Sequence, residues 1–236
     1  MLAAVSTEPV SLDRRQRRRQ ETIEEVLDIA AEIMAEQGVA GLSVGEVARR
    51  MGIRPPSLYG YFPSKHALYD ALFARGAQMV LDEVRADVES LEIHGLTLDE
   101  VLLHGAEAFV GWSIKHPAYT QLLFWRPVPG FTPSAEAYAP AIELVELTRA
   151  RFAMMREQGL LRADVTIDDV QRDWTVLISG VISQQMSNAP GEALAAGRFT
   201  AALPGLAAMF ARYYGAATPT PSSTRPTKET RRVRKH

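Results

Sequence analysis

Apolar positions recur every three or four residues along most of the chain, and no stretch of useful length alternates apolar with polar, so the pattern predicts helices and no strands. Ile23, Val26, Leu27, Ala30, Ala31 and Met34 share one stripe of a helix from Thr22 to Gln37, stopped by Gly38. Val44, Val47, Ala48 and Met51 make a shorter stripe that ends at Gly52, and Pro55 or Pro56 opens a second short helix reaching Phe62. Ser43 and Glu46 have the spacing of a capping box. From a Ser64 cap, Leu68, Leu72, Phe73, Val80, Val84 and Val88 continue a helix to Leu91, too long to stay within a small three-helix unit. Thr97 caps a helix to His116, Pro117 starts a short one to about Trp125, and the segment 126–133, with Pro127, Pro129, Gly130 and Pro133, is a loop. A helix from about Ser134 to Gln158 has Pro140 near its start, as a kink or as the true beginning. Thr166 with Asp169 begins a helix to about Ser187. The last helix runs from Gly197 to Tyr214, with a bend expected at Pro204, because proline in an unkinked interior costs roughly 3 kcal/mol.

These elements predict an all-α chain. Residues 1–18 are expected to be a flexible basic arm and 19–66 a three-helix DNA-binding domain. Residues 67–215 make a larger helical domain, reached by the connector helix 64–91, and 216–236 a disordered basic tail. Two short helices joined by a glycine-containing turn, the second presenting its N-terminal end outward, form a helix-turn-helix that fits a major groove.

Charge changes the picture in one respect. A DNA binder is expected to be basic, yet 26 Lys and Arg face 28 Asp and Glu, for a formal net charge of -2. The answer is distribution: Arg14, Arg15, Arg17, Arg18 and Arg19 stand together before a first helix crowded with Glu21, Glu24, Glu25, Asp28, Glu32 and Glu36. The tail carries Arg225, Lys228, Arg231, Arg232, Arg234 and Lys235 among Pro, Thr and Ser. Cysteine is absent, which excludes disulfides, thiolate metal sites and cysteine nucleophiles and reads as a cytoplasmic chain. No apolar run approaches the ~18 residues a membrane span needs, and residues 1–12 lack the apolar core of a signal peptide.

The run Leu58-Tyr59-Gly60-Tyr61-Phe62-Pro63-Ser64-Lys65, with Gly38 closing the preceding helix, resembles the TetR family of bacterial transcriptional regulators over roughly residues 19 to 70. The segment Trp174 to Gly180 is similar to the Trp-His-Gly motif of one C-terminal subclass, with Ser179 in place of histidine. The resemblance implies that the helical domain 67–215 serves ligand binding and dimerisation, with a homodimer on a double-stranded operator and an unidentified small-molecule effector; no cofactor is expected. Expected DNA contacts are Ser43, Val44, Arg54, Pro55, Pro56, Ser57, Tyr59, Gly60, Tyr61 and Lys65. Lys65, at a helix N-terminus, suits a phosphate, and the family uses the matching lysine as a backbone clamp. Tyr59 is expected at a phosphate or thymine methyl and Tyr61 at the backbone. Arg54 alone among the reading positions can make a bidentate contact to guanine, so direct readout is modest, with shape and arm contacts adding discrimination.

An apolar and aromatic set suits a ligand pocket: Phe109, Trp112, His116, Tyr119, Phe124, Trp125, Phe131, Tyr138, Phe152, Met155 and Trp174. It would equally suit a solid core. The last two helices carry Trp174, Leu177, Val181 and Met186 on one and Phe199, Leu203, Leu206, Phe210 and Tyr213 on the other, stripes that serve a core or, as the family implies, a four-helix dimer interface. Two-fold pairing places reading heads about 34 to 36 Å apart. The alternatives are a ligand-free DNA-binding dimer and an all-α enzyme fused to a DNA-binding unit. The latter would rely on His66, His94, His104 or His116, which no His-Glu-x-x-His, paired carboxylate or phosphate loop accompanies. No catalytic or metal-ligating residue is expected.

Overall fold

A computed structural model of the protein describes residues 14–216, and all structural statements refer to these. They form nine α-helices: α1 (Arg14–Gln37), α2 (Val44–Arg50), α3 (Pro55–Tyr59), α4 (Lys65–Ser90), α5 (Leu98–Lys115), α6 (Pro117–Phe124), α7 (Ala135–Glu157), α8 (Ile167–Asn188) and α9 (Leu203–Tyr214). Single 3-10 turns at Val39–Gly41 and Thr200–Ala202 precede α2 and α9. In place of a strand there is an isolated bridge between Leu161 and Gly215, which ties the end of α9 to the α7–α8 connection.

The first helix starts about two turns before Thr22. Arg14, Arg15, Arg17, Arg18 and Arg19 are therefore helical and not a flexible arm. Arginine and glutamine are good helix formers, and neither Gly nor Pro interrupts the chain between Arg14 and Gly38. The rest of the expected arm, and the tail from 217 on, lie outside the described residues. The end of α2 is as expected: Gly52 has φ 68, and the amides of Gly52 and Ile53 donate to the carbonyls of Arg49 and Ala48 at 3.2 and 3.0 Å, the paired bonds of a Schellman motif.

Its beginning differs from expectation. Ser43 makes no side-chain cap bond, and Glu46 instead accepts from Arg49 Nε and Nη2, both at 2.8 Å, and from Arg50 Nε at 3.0 Å. Charge-assisted bidentate bonds outcompete a neutral cap for the same carboxylate. Helix α3 also stops short of Phe62. The amides of Gly60 and Tyr61 reach back only three residues, to Ser57 and Leu58, and Pro63 disfavours a helical conformation at the residue before it.

Later elements hold closer to expectation. Ser64 accepts from the Ala67 amide at 3.0 Å. Thr97 shares the Glu100 carboxylate through its amide and hydroxyl, at 2.8 and 2.9 Å. Pro140 lies inside α7, which begins at the Ser134 cap, and Asp70 of α4 fixes that cap by accepting from the Ser134 amide and hydroxyl, each at 2.7 Å. The bend expected at Pro204 is absent because α9 begins at Leu203, putting the proline in the first turn, where no intrahelical bond is lost.

Three apolar clusters organise the interior. The first joins the α1–α3 unit to α4, α5 and α6 through Leu58, Leu68, Tyr69, Phe73, Trp112 and Tyr119, and so crosses the boundary expected at residue 66. The second gathers Ile93, Leu98, Phe152, Val170 and Phe210, and the third Ala106, Val110, Ile178, Val181 and Leu203.

Candidate nucleic-acid interface and cavity

The α2–α3 pair holds its reading end outward. Leu58 and Phe62 are buried and anchor the turn after Gly52, while Arg54, Pro55, Pro56, Ser57, Tyr59 and Gly60 are exposed on one side of α3. Ser43 is exposed at the start of α2, whereas Val44, expected as a contact, is buried among Val47, Ala48 and Leu42 and is unavailable to a nucleic acid. Tyr61 is half-buried beneath Arg19, whose guanidinium carbon sits 5.0 Å from the ring centroid and whose two terminal nitrogens donate to the Gly60 carbonyl at 3.4 and 3.5 Å. An arginine of the first helix thus caps and stacks on the end of the reading helix.

Charges on this face divide into two groups. Arg49 and Arg50 are engaged with carboxylates: Glu46 is held down to about 2 by hydrogen bonds from Arg49 and then Arg50, and Arg50 also pairs with Glu36. Lys65, the first residue of α4, is exposed, with Nζ over the Tyr69 ring at 5.5 Å and donating weakly to the Ala40 carbonyl at 3.4 Å. Tyr69 is locked beneath it by a 2.6 Å bond from its hydroxyl to the Val39 carbonyl. Arg14, Arg15, Arg18, Arg19, Thr22 and Tyr61 line a polar recess beside α3. The sequence pattern placed these arginines before the helix and gave no sign that their helical phase brings them to Tyr61.

A cavity of about 230 Å³ lies where the three apolar clusters meet, bounded by α4, α5, α7 and α8 and the end of α6. Five of the eleven residues expected to line a pocket do so: Phe109, Phe124, Phe152, Met155 and Trp174. The other six do not. Trp112 is buried against His116, whose pKa is lowered by burial. Tyr119 packs on Gly76, and Phe131 on Tyr69. Tyr138 stacks on Phe73 at the surface, and Trp125 is exposed past the end of α6. Polar residues complete the wall: Asp87, Thr148, Arg151, Gln171, Thr175 and Ser179, of which the sequence pattern singled out Ser179 alone, and for another reason. The available signal was a carboxylate, Asp87, set within the apolar stripe Val84–Val88.

The expected pairing stripe is also corrected in part. Val181, Leu203 and Phe210 are buried inside one chain, and Trp174 meets Phe210 edge-on at 4.9 Å. Leu177, Met186, Phe199 and Leu206 are half-buried. What α8 and α9 leave outside is Val176, Ser179, Gly180, Met209 and Tyr213, with Val176 and Tyr213 at 67% and 65% exposure. Among the described residues no helix is long and apolar enough to cross a membrane.

An outward helix-turn-helix, held by one long helix beneath an all-helical domain with its own cavity, defines the class of helix-turn-helix regulators. Residues 26–72 match the family model described as bacterial regulatory proteins, tetR family. The HTH-type regulator YobS of Bacillus subtilis is 34% identical over 94 residues, 40% of this chain and 47% of that protein; the chain spans about half the length of the curated relatives it matches. A protein of unknown function from Rhodococcus sp. RHA1 shares the fold with a TM-score of 0.67 at 19% identity, over 81% of this chain and 94% of that one. The ketosteroid transcriptional regulator KstR2 of Mycobacterium tuberculosis does so with a TM-score of 0.58 at 20% identity, over 91% and 100%. Over its N-terminal part the chain is thus similar to the TetR family of bacterial transcriptional regulators. The relatives it matches are described as transcriptional regulators, which speaks for a regulator and against the enzyme alternative built on His66, His94, His104 and His116.

Proposed function

We propose that the protein is a ligand-responsive repressor that binds a palindromic operator as a homodimer and leaves it when a small molecule fills the cavity. The observation that carries this reading is the continuity of α4. Lys65 opens it at the nucleic-acid face and Asp87 lies in the cavity wall near its other end, roughly 33 Å apart at helical rise. A ligand that alters how α4 packs against α5, α7 and α8 moves the reading head through one rigid element. Its leverage equals its differential affinity for the two arrangements.

Lys65, Tyr59 and the Arg14–Arg19 turns hold phosphates, and Arg54 with Ser57 reaches base edges. The outward face of α8 and α9, with Gly180 permitting close approach and Val176, Met209 and Tyr213 supplying apolar area, is the surface assigned to the partner copy. The cavity favours this reading over the ligand-free dimer, which a solid core would have suited. The test is selection of bound DNA from a random pool by the full chain, followed by release with fractionated small-molecule extracts. Inverted repeats that are released by at least one fraction support the reading; sites without two-fold symmetry, or complexes that no fraction disturbs, overturn it.

A further inference from the structure

The cavity is mostly apolar, so its few polar atoms decide what it accepts. Three of the six polar side chains in its wall are already engaged. Arg151 donates from Nη1 and Nη2 to the carbonyls of Val88 and Leu91 at 3.1 and 3.4 Å, holding the C-terminal end of α4. Gln171 Nε2 donates to the Val145 carbonyl and to Thr148 Oγ1, both at 2.9 Å, and Thr148 donates onward to Leu144 and Val145. Asp87 is different. Its side chain is 9% exposed, and the one basic side chain within 4 Å among the described residues is His104, with Nδ1 2.6 Å from Oδ1. His104 Nδ1 makes no hydrogen bond among the described residues.

The other oxygen, Oδ2, lies over Gly105 of α5, where a Cβ would come within 3.8 Å of it. Both residues line the cavity. The missing side chain at Gly105 keeps a buried carboxylate oxygen open to whatever enters, and among the described residues no donor reaches it. A largely buried carboxylate with one oxygen free of protein donors gains from a ligand that brings a charged donor. The remaining wall suits a cation as well: Phe109 and Phe124 meet at 5.7 Å between centroids, with Phe152 and Trp174 beside them, and aromatic faces attract cations.

We infer that the effector is a lipophilic amine, its ammonium group received by Asp87 Oδ2 and its apolar body lying against Phe109, Phe124, Phe152 and Trp174. At about 230 Å³ the cavity is smaller than sites for drug-sized ligands, so the amine is of small-metabolite size. This rests on the cavity being an effector site. An anion that used Arg151 would have to lie near the Asp87 carboxylate and would find that guanidinium already committed to α4.

The experiment uses the full chain and three probes of one shape, phenylbutylamine, phenylbutanol and phenylbutanoate, titrated at neutral pH by calorimetry, with operator binding measured on the same samples. The amine is expected to bind about tenfold or more tightly than the alcohol, as for a gained charged hydrogen bond, and the carboxylate most weakly. Asp87→Asn should bring the amine down to the alcohol's level, and Gly105→Ala, which covers Oδ2 while remaining helix-compatible, should weaken the amine selectively. Tightest binding by the carboxylate, or an amine preference that survives Asp87→Asn, overturns the amine while leaving the effector site standing. Failure of all three probes to bind overturns both the amine and the effector-site reading.

Discussion

Gly76 sits in the middle of α4, facing Tyr119 of α6. A Cβ added there would stand 2.6 Å from Tyr119 Cδ1, 3.2 Å from Cγ and 3.4 Å from its Cβ. Turning the ring about χ2 clears the first atom but leaves Cγ too close, and Tyr119 is buried, so α6 as a whole must move. Alanine gains about 0.8 to 1 kcal/mol over glycine in a helix interior, while overpacking a filled site costs about 1 to 3 kcal/mol. The balance for Gly76→Ala is a loss of about 1 kcal/mol, which lowers the melting temperature by about 2 to 4 °C in a chain of this size. Gly105→Ala is the control, because its nearest neighbour is 3.8 Å away, so it should gain the propensity term and melt higher. Thermal unfolding followed by circular dichroism reads both. In a Tyr119→Leu background, Gly76→Ala should recover most of its gain. If Gly76→Ala raised the melting temperature as much as Gly105→Ala in the native background, the close approach of α6 to α4 would be refuted.

Four further outcomes follow from the site. Lys65→Ala should weaken operator binding across all sequences and reduce the salt slope by about one unit, measured by titration at several salt concentrations; an unchanged slope would remove Lys65 from the phosphate contacts. Arg54→Ala should relax preference at one base position, costing about 1 to 3 kcal/mol there, and an unchanged selected-sequence profile would unseat it. Gly180→Arg, at an exposed position with nothing within 4 Å, should leave the monomer folded and abolish the dimer in light scattering; a dimer of native size would move the interface elsewhere. Glu46, held at about 2 by Arg49 and Arg50, has a lower pKa in the folded chain than its ordinary 4.5. Its contribution is therefore complete above about 4.5 and lost as pH falls toward 2, so Glu46→Gln should flatten that part of the acid-unfolding curve.

What the sequence made legible was decided by local physics. Gly52, the Ser64 and Thr166 caps and the proline at the head of α3 settle their own backbone, and each acts as its residue type predicts. The failures share a cause, which is competition from partners that are distant in sequence or carry stronger charge. Ser43 lost Glu46 to two arginines. Trp112, Tyr119 and Phe131 were indistinguishable by type from Phe109, Phe152 and Trp174, because an aromatic side chain fills a core or lines a cavity with the same chemistry. Only the meeting of three clusters decides which, and that depends on the packing of α5 between α4 and α8.

The same reasoning makes the cavity's polar atoms more informative than its walls. An apolar wall is compatible with any apolar ligand, or with none, whereas a carboxylate that is nine-tenths buried must be justified by a partner. Asp87 lies on the helix whose first residue is Lys65, and a ligand that satisfies Asp87 acts directly on the element that sets the reading head. The effector's chemistry and the effector's leverage therefore converge on one side chain. Asp87→Asn should accordingly uncouple operator release from amine addition, while any amine that still binds through the aromatic wall alone leaves the DNA occupied.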